Sequence, residues 1–136
     1  MVFGRKLSRG RKSREALFKS LIKALVIYGK ITTTYAKAKA ITAEVDKIVN
    51  IAKENSITAK RRVLAKLNND REIVEKLFLA ASKFAGRKGG YTRITNLPPR
   101  RGDMAKMASI EWVEKIEEPK KKKEKVEKKT VKGKSK

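Results

Sequence analysis

The sequence contains no cysteine and no histidine. The chain therefore lacks disulfides, thiolate or imidazole metal ligands, cysteine or histidine nucleophiles and imidazole bases, and we expect no enzyme, metal site or cofactor. No apolar run approaches the roughly 18 residues of a membrane-spanning helix. Leu7 is isolated within a basic N-terminus, and the apolar segment of a signal peptide does not follow it. These absences predict a cytoplasmic protein with no membrane segment and no small-molecule substrate.

Acidic residues are scarce: 14 Asp and Glu stand against 37 Lys and Arg, for a net charge of +23 in 136 residues. This length suits a single domain. Such a surplus opposes compaction unless a polyanion neutralises it, which points to nucleic acid or an anionic membrane surface. All arginines precede residue 115, whereas residues 115–136 hold 11 lysines and 4 glutamates. Because arginine binds phosphate with planar, bidentate geometry, we expect geometry-dependent contacts from the first part and non-specific attraction from the tail.

Composition divides the chain into three parts. Residues 1–14 are basic, contain two glycines and no acid, and are predicted to form an arm that is disordered alone and orders on nucleic acid. Residues 15–114 carry the apolar periodicity of a core domain. Residues 115–136 are dominated by Lys and Glu and are predicted to be a disordered tail.

Periodicity within the core domain predicts four helices and three strands. The helices are expected at 13–28, at 36–54, at 58–67 and from the turn at 68–70 to near 86, and the strands at 30–35, 91–95 and 107–113. The order α-β-α-α-α-β-β predicts an α+β fold of two layers, with a small sheet packed on helices. In the last strand, Ala108, Ile110 and Trp112 share one face, which we expect to be buried.

Several polar residues stand where helix N-caps are expected. Ser13, Thr34 and Thr58 are the candidates for the first three helices. Asn69 with Glu72 three positions later resembles a capping box before the fourth.

Two basic turns flank the second strand, which carries Arg93. The first, residues 86–90, combines three glycines with Arg87 and Lys88, and the second contains Arg100-Arg101-Gly102-Asp103. Glycines allow such turns to approach a nucleic-acid backbone closely, so the pair is typical of a phosphate-gripping surface. The first turn is not a nucleotide-binding loop, because it has no Gly-Lys followed by Ser or Thr and because it is expected between a helix and a strand, whereas such a loop follows a strand and precedes a helix. The Arg-Gly-Asp tripeptide is a chance match in a cysteine-free basic chain, and Asp103 is expected to brace its loop through an Asx-turn.

A basic helix face at residues 60–66 adds to the arm and the two turns, and together they indicate nucleic-acid binding without catalysis. The predicted RNA-binding residues are Arg5, Lys6, Arg9, Arg11, Lys12, Arg14, Arg61, Arg62, Arg87, Lys88, Tyr91, Arg93, Arg100 and Arg101. Composition does not separate RNA from DNA, although an arm with basic loops suits shape recognition of folded RNA. The alternatives are a histone-like DNA protein, favoured by the lysine tail, and a membrane-surface protein that uses the amphipathic first helix.

Several motifs resemble one family when taken in order. They are Leu7 with Arg9, Arg14 and Ala16, then Ile31 with Thr33-Thr34, Lys37-Ala38-Lys39, the stretch 69–78, Gly89-Gly90-Tyr91-Thr92-Arg93-Ile94, Arg101-Gly102-Asp103 and Met107-Ala108. The pattern covers residues 5–114 and resembles the L-seventeen family of bacterial large-subunit ribosomal proteins.

This resemblance implies a two-layer α+β fold and a structural role in the large ribosomal subunit. It also implies binding to 23S ribosomal RNA and to neighbouring large-subunit proteins, on the solvent side near the peptide exit. Two positions depart from the family pattern, because Phe3 and Ser13 stand where the family has histidines. The contacts of those histidines are therefore not expected here, and nothing is implied for the tail.

Overall fold

The computed structural model describes residues 5–114 as four α-helices and one three-stranded sheet. The elements are α1 (Arg11–Tyr28), β1 (Lys30–Thr34), α2 (Tyr35–Lys53), α3 (Ile57–Lys66), α4 (Arg71–Lys83), β2 (Thr92–Leu97) and β3 (Met107–Trp112). The predicted order and the mixed α+β class are confirmed. The prediction of a disordered tail at 115–136, and that of the arm as far as it concerns residues 1–4, lie outside the described residues.

The last strand lies in the middle of the sheet. The strand order is β1-β3-β2 and both pairings are antiparallel. Residues that face one another across antiparallel strands share a face, so Ile31, Ile110 and Ile94 form one row on the side of the helices. Thr32, Ser109 and Thr95 form a row on the opposite side.

Helix α2 supplies much of the core between the sheet and the other helices. Ile41, Val45 and Val49 on this helix are at most 1% exposed. The predicted inner face of β3 is confirmed, since Ala108, Ile110 and Trp112 are all buried. Ser109 is buried as well, although it lies on the opposite face, because it occupies the central strand between Thr32 and Thr95.

Trp112 joins the sheet to the first helix. Its indole Nε1 donates a buried hydrogen bond of 3.1 Å to the carbonyl oxygen of Leu25, and its ring centroid lies 5.9 Å from that of Phe84. A buried indole N–H needs such an acceptor, so this bond fixes the end of α1 against the end of β3.

Helix α1 begins two residues earlier than predicted. Gly10, with extended backbone, occupies the N-cap position, and Ser13 lies inside the helix. Residues 11–14 of the predicted arm are therefore helical. The predicted C-terminal stop is confirmed: Gly29 has φ of 72° and donates its N–H to the Leu25 carbonyl at 2.9 Å, a left-handed conformation that glycine adopts readily.

The cap of α3 is Ser56, not Thr58. The Ser56 Oγ accepts the N–H of Ala59 at 3.0 Å, while the Thr58 hydroxyl lies 2.9 Å from the Ser56 hydroxyl. Ser56 captures the bond because its backbone is extended and a free N–H lies three residues ahead of it.

The other two predicted caps do not form. Thr34 holds the N-cap position of α2, but its side chain makes no capping bond. Asn69 has a φ of 57°, which places it in a left-handed turn, so Asp70 becomes the N-cap residue of α4. The Asp70 carboxylate accepts a 3.1 Å hydrogen bond from Lys23 instead of capping its own helix.

Some element ends also differ from prediction. Tyr35 opens α2 and does not extend β1, and α4 ends at Lys83 before the glycine turn. Strand β2 starts one residue late and continues through Asn96 and Leu97, because both pair with β3 before the two prolines end the strand.

Candidate nucleic-acid interface

The glycine turn at 86–90 is held from below by α2. Asp46 accepts the backbone N–H groups of Gly90 and Tyr91 at 3.4 and 3.3 Å. Lys53, two turns further along the same helix, donates to the carbonyl oxygen of Arg87. These contacts fix the backbone of the turn and leave Lys88 exposed at its tip.

Tyr91, one of the predicted RNA-binding residues, belongs to the core. Its side chain is fully buried, and its ring centroid lies 5.2 Å from that of Phe84. The hydroxyl lies within hydrogen-bond reach of the side-chain oxygen of Asn50 and, at 3.1 Å, of the Arg87 carbonyl. A ring without an open face cannot stack on a base, so Tyr91 supports the glycine turn from inside.

The loop between β2 and β3 is braced by an ion pair. Arg100 Nε donates to Asp103 Oδ1 at 3.1 Å, and its Nη2 bonds the other carboxylate oxygen. Asp103 Oδ1 also accepts the N–H of Ala105 at 3.2 Å, which confirms its predicted loop-bracing role. The hydrogen bond from Arg100, followed by that from Ala105, lowers the pKa of Asp103 to about 2, and the pKa of Arg100 is raised by the same partner.

The predicted arginines therefore fall into two groups within residues 5–114. Arg11, Arg87 and Arg100 have acidic partners: Arg11 pairs with Glu15, the Arg87 Nε lies 3.3 Å from the Glu114 Oε1, and Arg100 is bound to Asp103. In the second group the side chains are exposed and no acid pairs with them in the described chain. This group comprises Arg5, Arg61, Arg62, Arg93 and Arg101.

The N-terminal segment places its remaining predicted cations around the start of α1. Lys6, Arg9 and Lys12 are exposed, and Arg9 donates to the Leu7 carbonyl at 3.0 Å. Arg11 pairs with Glu15 at 3.3 Å, while Arg14 is half-buried. The first turn of α1 contains no acidic residue, so Lys12 and Arg14 face the positive end of the helix dipole with no acid in that turn.

These basic segments are spread over the domain rather than gathered in one patch. The two basic turns flank opposite ends of β2. This strand has 6 residues, so at about 3.3 Å per residue its ends lie nearly 20 Å apart. Helix α1 has 18 residues and is therefore about 27 Å long at 1.5 Å per residue. Its start lies at this distance from the end that leads into β1. Within residues 5–114, the start of α1 and the end of α3 line one cleft together, through Arg11, Arg14 and Lys66.

Reasoning from sequence missed the residues on α2 that hold the glycine turn. Asp46, Asn50 and Lys53 recur at i, i+4 and i+7, so they form a polar stripe beside the apolar stripe of the helix. That stripe was the available signal. Its target could not be deduced, because the turn lies more than thirty residues away in the sequence.

Residues 5–114 contain neither a cluster of metal ligands nor a membrane-spanning helix. No group of three or more acidic, cysteine or histidine side chains is placed to hold a metal ion there. No helix in that part of the chain is long and apolar enough to cross a bilayer.

A small α+β domain whose distinctive side chains are exposed cations on braced turns and helix faces defines a structural binding protein. A family model described as ribosomal protein L17 matches residues 17–113. The chain belongs to the ribosomal protein L17 family, and it is a structural ribosomal protein rather than an enzyme.

Curated relatives agree with this assignment over most of the chain. A protein named large ribosomal subunit protein bL17 from Chloroflexus aurantiacus is 47% identical over 111 residues, which cover 81% of this chain and 95% of the relative. The bL17 protein of Dictyoglomus turgidum is 48% identical over 110 residues, covering 80% and 94%. That of Chloroherpeton thalassium is 48% identical over 111 residues, which cover 81% of this chain and 65% of the longer relative.

Proposed function

We propose that the chain is a constituent of the bacterial large ribosomal subunit that binds and braces 23S ribosomal RNA. It would lie on the solvent side near the peptide exit, in contact with neighbouring large-subunit proteins, and support translation and subunit assembly in the cytoplasm. Family membership and the names of the relatives support the large subunit. The resemblance of residues 5–114 to the family supports the finer placement.

One observation carries the RNA-binding part of the proposal: exposed arginines stand without acidic partners in the described chain. Arg61, Arg62, Arg93 and Arg101 are all of this kind, in a chain of net charge +23. An uncompensated guanidinium on a fixed backbone matches a phosphate, with which it forms two parallel hydrogen bonds. Each phosphate neutralised in this way releases counterions, so binding would weaken steeply as salt rises.

The acid-paired arginines of the two basic turns, Arg87 and Arg100, take a different part in the same function. Arg100 would hold the β2–β3 loop in one conformation, and Arg101 beside it would make the phosphate contact. Arg87 and Glu114 would do the same for the glycine turn, where Lys88 is exposed. A pre-arranged loop loses less conformational entropy when it binds, which favours RNA of matching shape.

The arm is expected to order during assembly. The cations in the first turn of α1 repel one another and the helix dipole, which disfavours this turn in the free protein. Phosphate groups of the RNA would reverse that effect. Folding of the segment around residues 5–14 would then be coupled to RNA binding.

The test is sedimentation of a cell lysate through a gradient, with the protein followed by immunoblot. The protein is expected to migrate with the large subunit and to leave that position after ribonuclease treatment. Migration with the chromosome would support a histone-like DNA protein and would contradict the proposal. Flotation with membranes would equally contradict it. Cross-linking within purified subunits would then show whether Arg61, Arg93 and Arg101 contact 23S RNA.

A further inference from the structure

A cleft of about 720 Å³ opens between the first half of α1, the middle of α2 and the end of α3. It lies apart from both basic turns and from the sheet. Its volume falls within the range of about 300–1,000 Å³ that is typical of small-ligand sites. The cleft is therefore large enough for one flat organic group together with its charged substituent.

The floor of the cleft is apolar. Phe18 is half-buried there, Ile22 and Ile48 are each 3% exposed beneath it, and Ala65 lies at the exposed edge. A phenyl ring beside small and branched aliphatic groups presents a flat surface of the kind on which nucleobases stack. This floor has no counterpart at the basic turns, where the nearby aromatic ring of Tyr91 is fully buried.

The rim of the cleft carries positive charge that the protein itself does not neutralise. Arg14 on α1 and Lys66 on α3 stand on different walls, and neither has an ion pair or side-chain hydrogen bond in the described residues. Both acids at the rim have cationic partners of their own, since Glu15 pairs with Arg11, which also lines the cleft, at 3.3 Å and Glu44 pairs with Lys47 at 3.0 Å. The unpaired charges of Arg14 and Lys66 therefore attract an anion that spans the two walls.

We propose that this cleft binds a single unpaired RNA nucleotide, with its base against Phe18 and its flanking phosphates on Arg14 and Lys66. The proposal rests on the proposed function, which it deepens by naming a nucleotide subsite. The apolar floor matches the flat base of a nucleotide, and the cationic rim matches its phosphate groups. An acidic peptide would satisfy the rim but would leave the floor without a ring to cover it.

The subsite can be observed directly by NMR on the full chain labelled at isoleucine methyl groups. The probe is a short, unstructured RNA of adenosine and uridine, compared with the same backbone carrying an abasic central residue. We expect the Ile22 and Ile48 methyl signals to shift with the intact RNA and far less with the abasic one, because ring currents require the base. The methyl of Ile110, in the core under the sheet, serves as the internal reference.

A matched pair of variants tests the same subsite by affinity. Ala65→Glu places a carboxylate at the exposed edge of the cleft, whereas Ala43→Glu makes the same change at an exposed position of α2 that does not line it. Because the carboxylate obstructs stacking and repels phosphate, we expect Ala65→Glu to weaken binding of the intact RNA about tenfold more than Ala43→Glu.

The possible results separate this proposal from the general one. If the chain binds RNA while the Ile22 and Ile48 signals stay unchanged, or shift equally with the abasic RNA, the nucleotide subsite is refuted and RNA binding elsewhere stands. If an acidic peptide shifts these signals as strongly as the intact RNA, the cleft is a peptide site and the proposal fails. If the full chain binds no RNA, both proposals fall.

Discussion

Arg100 and Asp103 form a bidentate ion pair within one exposed loop, three residues apart, and Arg101 beside them remains free within the described chain. Two adjacent arginines of identical chemistry thus have different roles. Arg100 fixes the backbone of the loop from which Arg101 projects. The difference depends on the position of a single carboxylate.

The Asp103 contact predicts a pH-dependent loop. The pKa of Asp103 is lowered to about 2, below the value of roughly 3.9 in the unfolded chain. The ionised carboxylate therefore stabilises the loop fully at pH values above this unfolded pKa. That stabilisation is expected to be lost as the pH falls through about 2. The measurement is an NMR titration of the Ala105 amide, which donates to this carboxylate. Asp103→Asn should abolish the titration, and a midpoint near the ordinary aspartate value would show that the pair does not form in solution.

Arg101→Ala is expected to weaken RNA binding without loosening the fold, because this side chain makes no contact that stabilises the described domain. Loss of one phosphate contact should reduce the slope of log affinity against log salt by about 1 and impair incorporation into particles. Arg93→Ala should behave in the same way. Thermal unfolding of the free variants should match that of the parent chain.

Arg71→Ala is the control, since Arg71 is an exposed arginine at the start of α4 that lies outside the predicted RNA-binding set. This variant removes the same positive charge, but from α4 and not from the β2–β3 loop. Equal salt slopes for Arg71→Ala and Arg101→Ala would mean that only net charge matters, which contradicts the assignment of Arg101 to a direct contact.

Sequence reasoning located the elements because burial follows periodicity. The stripe of Ile41, Val45 and Ile48 marks α2, and the alternation of Ile110 and Trp112 marks the inner face of β3. These patterns are local and repeat along each element, so few other backbone conformations would bury the same apolar side chains.

The helix starts and the glycine turn were harder to predict, since they depend on single residues. Ser56 and Thr58 both have capping side chains, and the choice between them depends on which backbone is extended. The burial of Tyr91 depends on Phe84 and on Asp46, contacts between distant segments that no local pattern encodes. Exposed arginines such as Arg61 could be named from the sequence, whereas the pairing of Arg87 with Glu114, a residue distant in the sequence, could not.

The cap assignment predicts different stabilities for two similar variants. Ser56→Ala removes the acceptor of the Ala59 N–H and should lower the free energy of unfolding by about 1 kcal/mol. Thr58→Ala lies in the first turn without a capping bond and should change it by less than about 0.5 kcal/mol. Urea denaturation of both variants provides the comparison. The reverse order of stabilities would restore Thr58 as the cap.

Tyr91→Phe tests whether this residue supports the glycine turn from the core. The variant keeps the ring beside Phe84 and removes only the hydroxyl that meets Asn50 and the Arg87 carbonyl. The variant loses the hydrogen bond to Asn50, whereas the Arg87 carbonyl keeps the one from Lys53, so the free energy of unfolding should fall by roughly 0.5–1.5 kcal/mol and amide exchange in residues 86–90 should become faster. RNA affinity should change little, since Lys88 and Arg93 remain. Stability equal to that of the parent chain, together with a clear loss of RNA affinity, would instead place the hydroxyl on RNA and would require the turn to open in the complex.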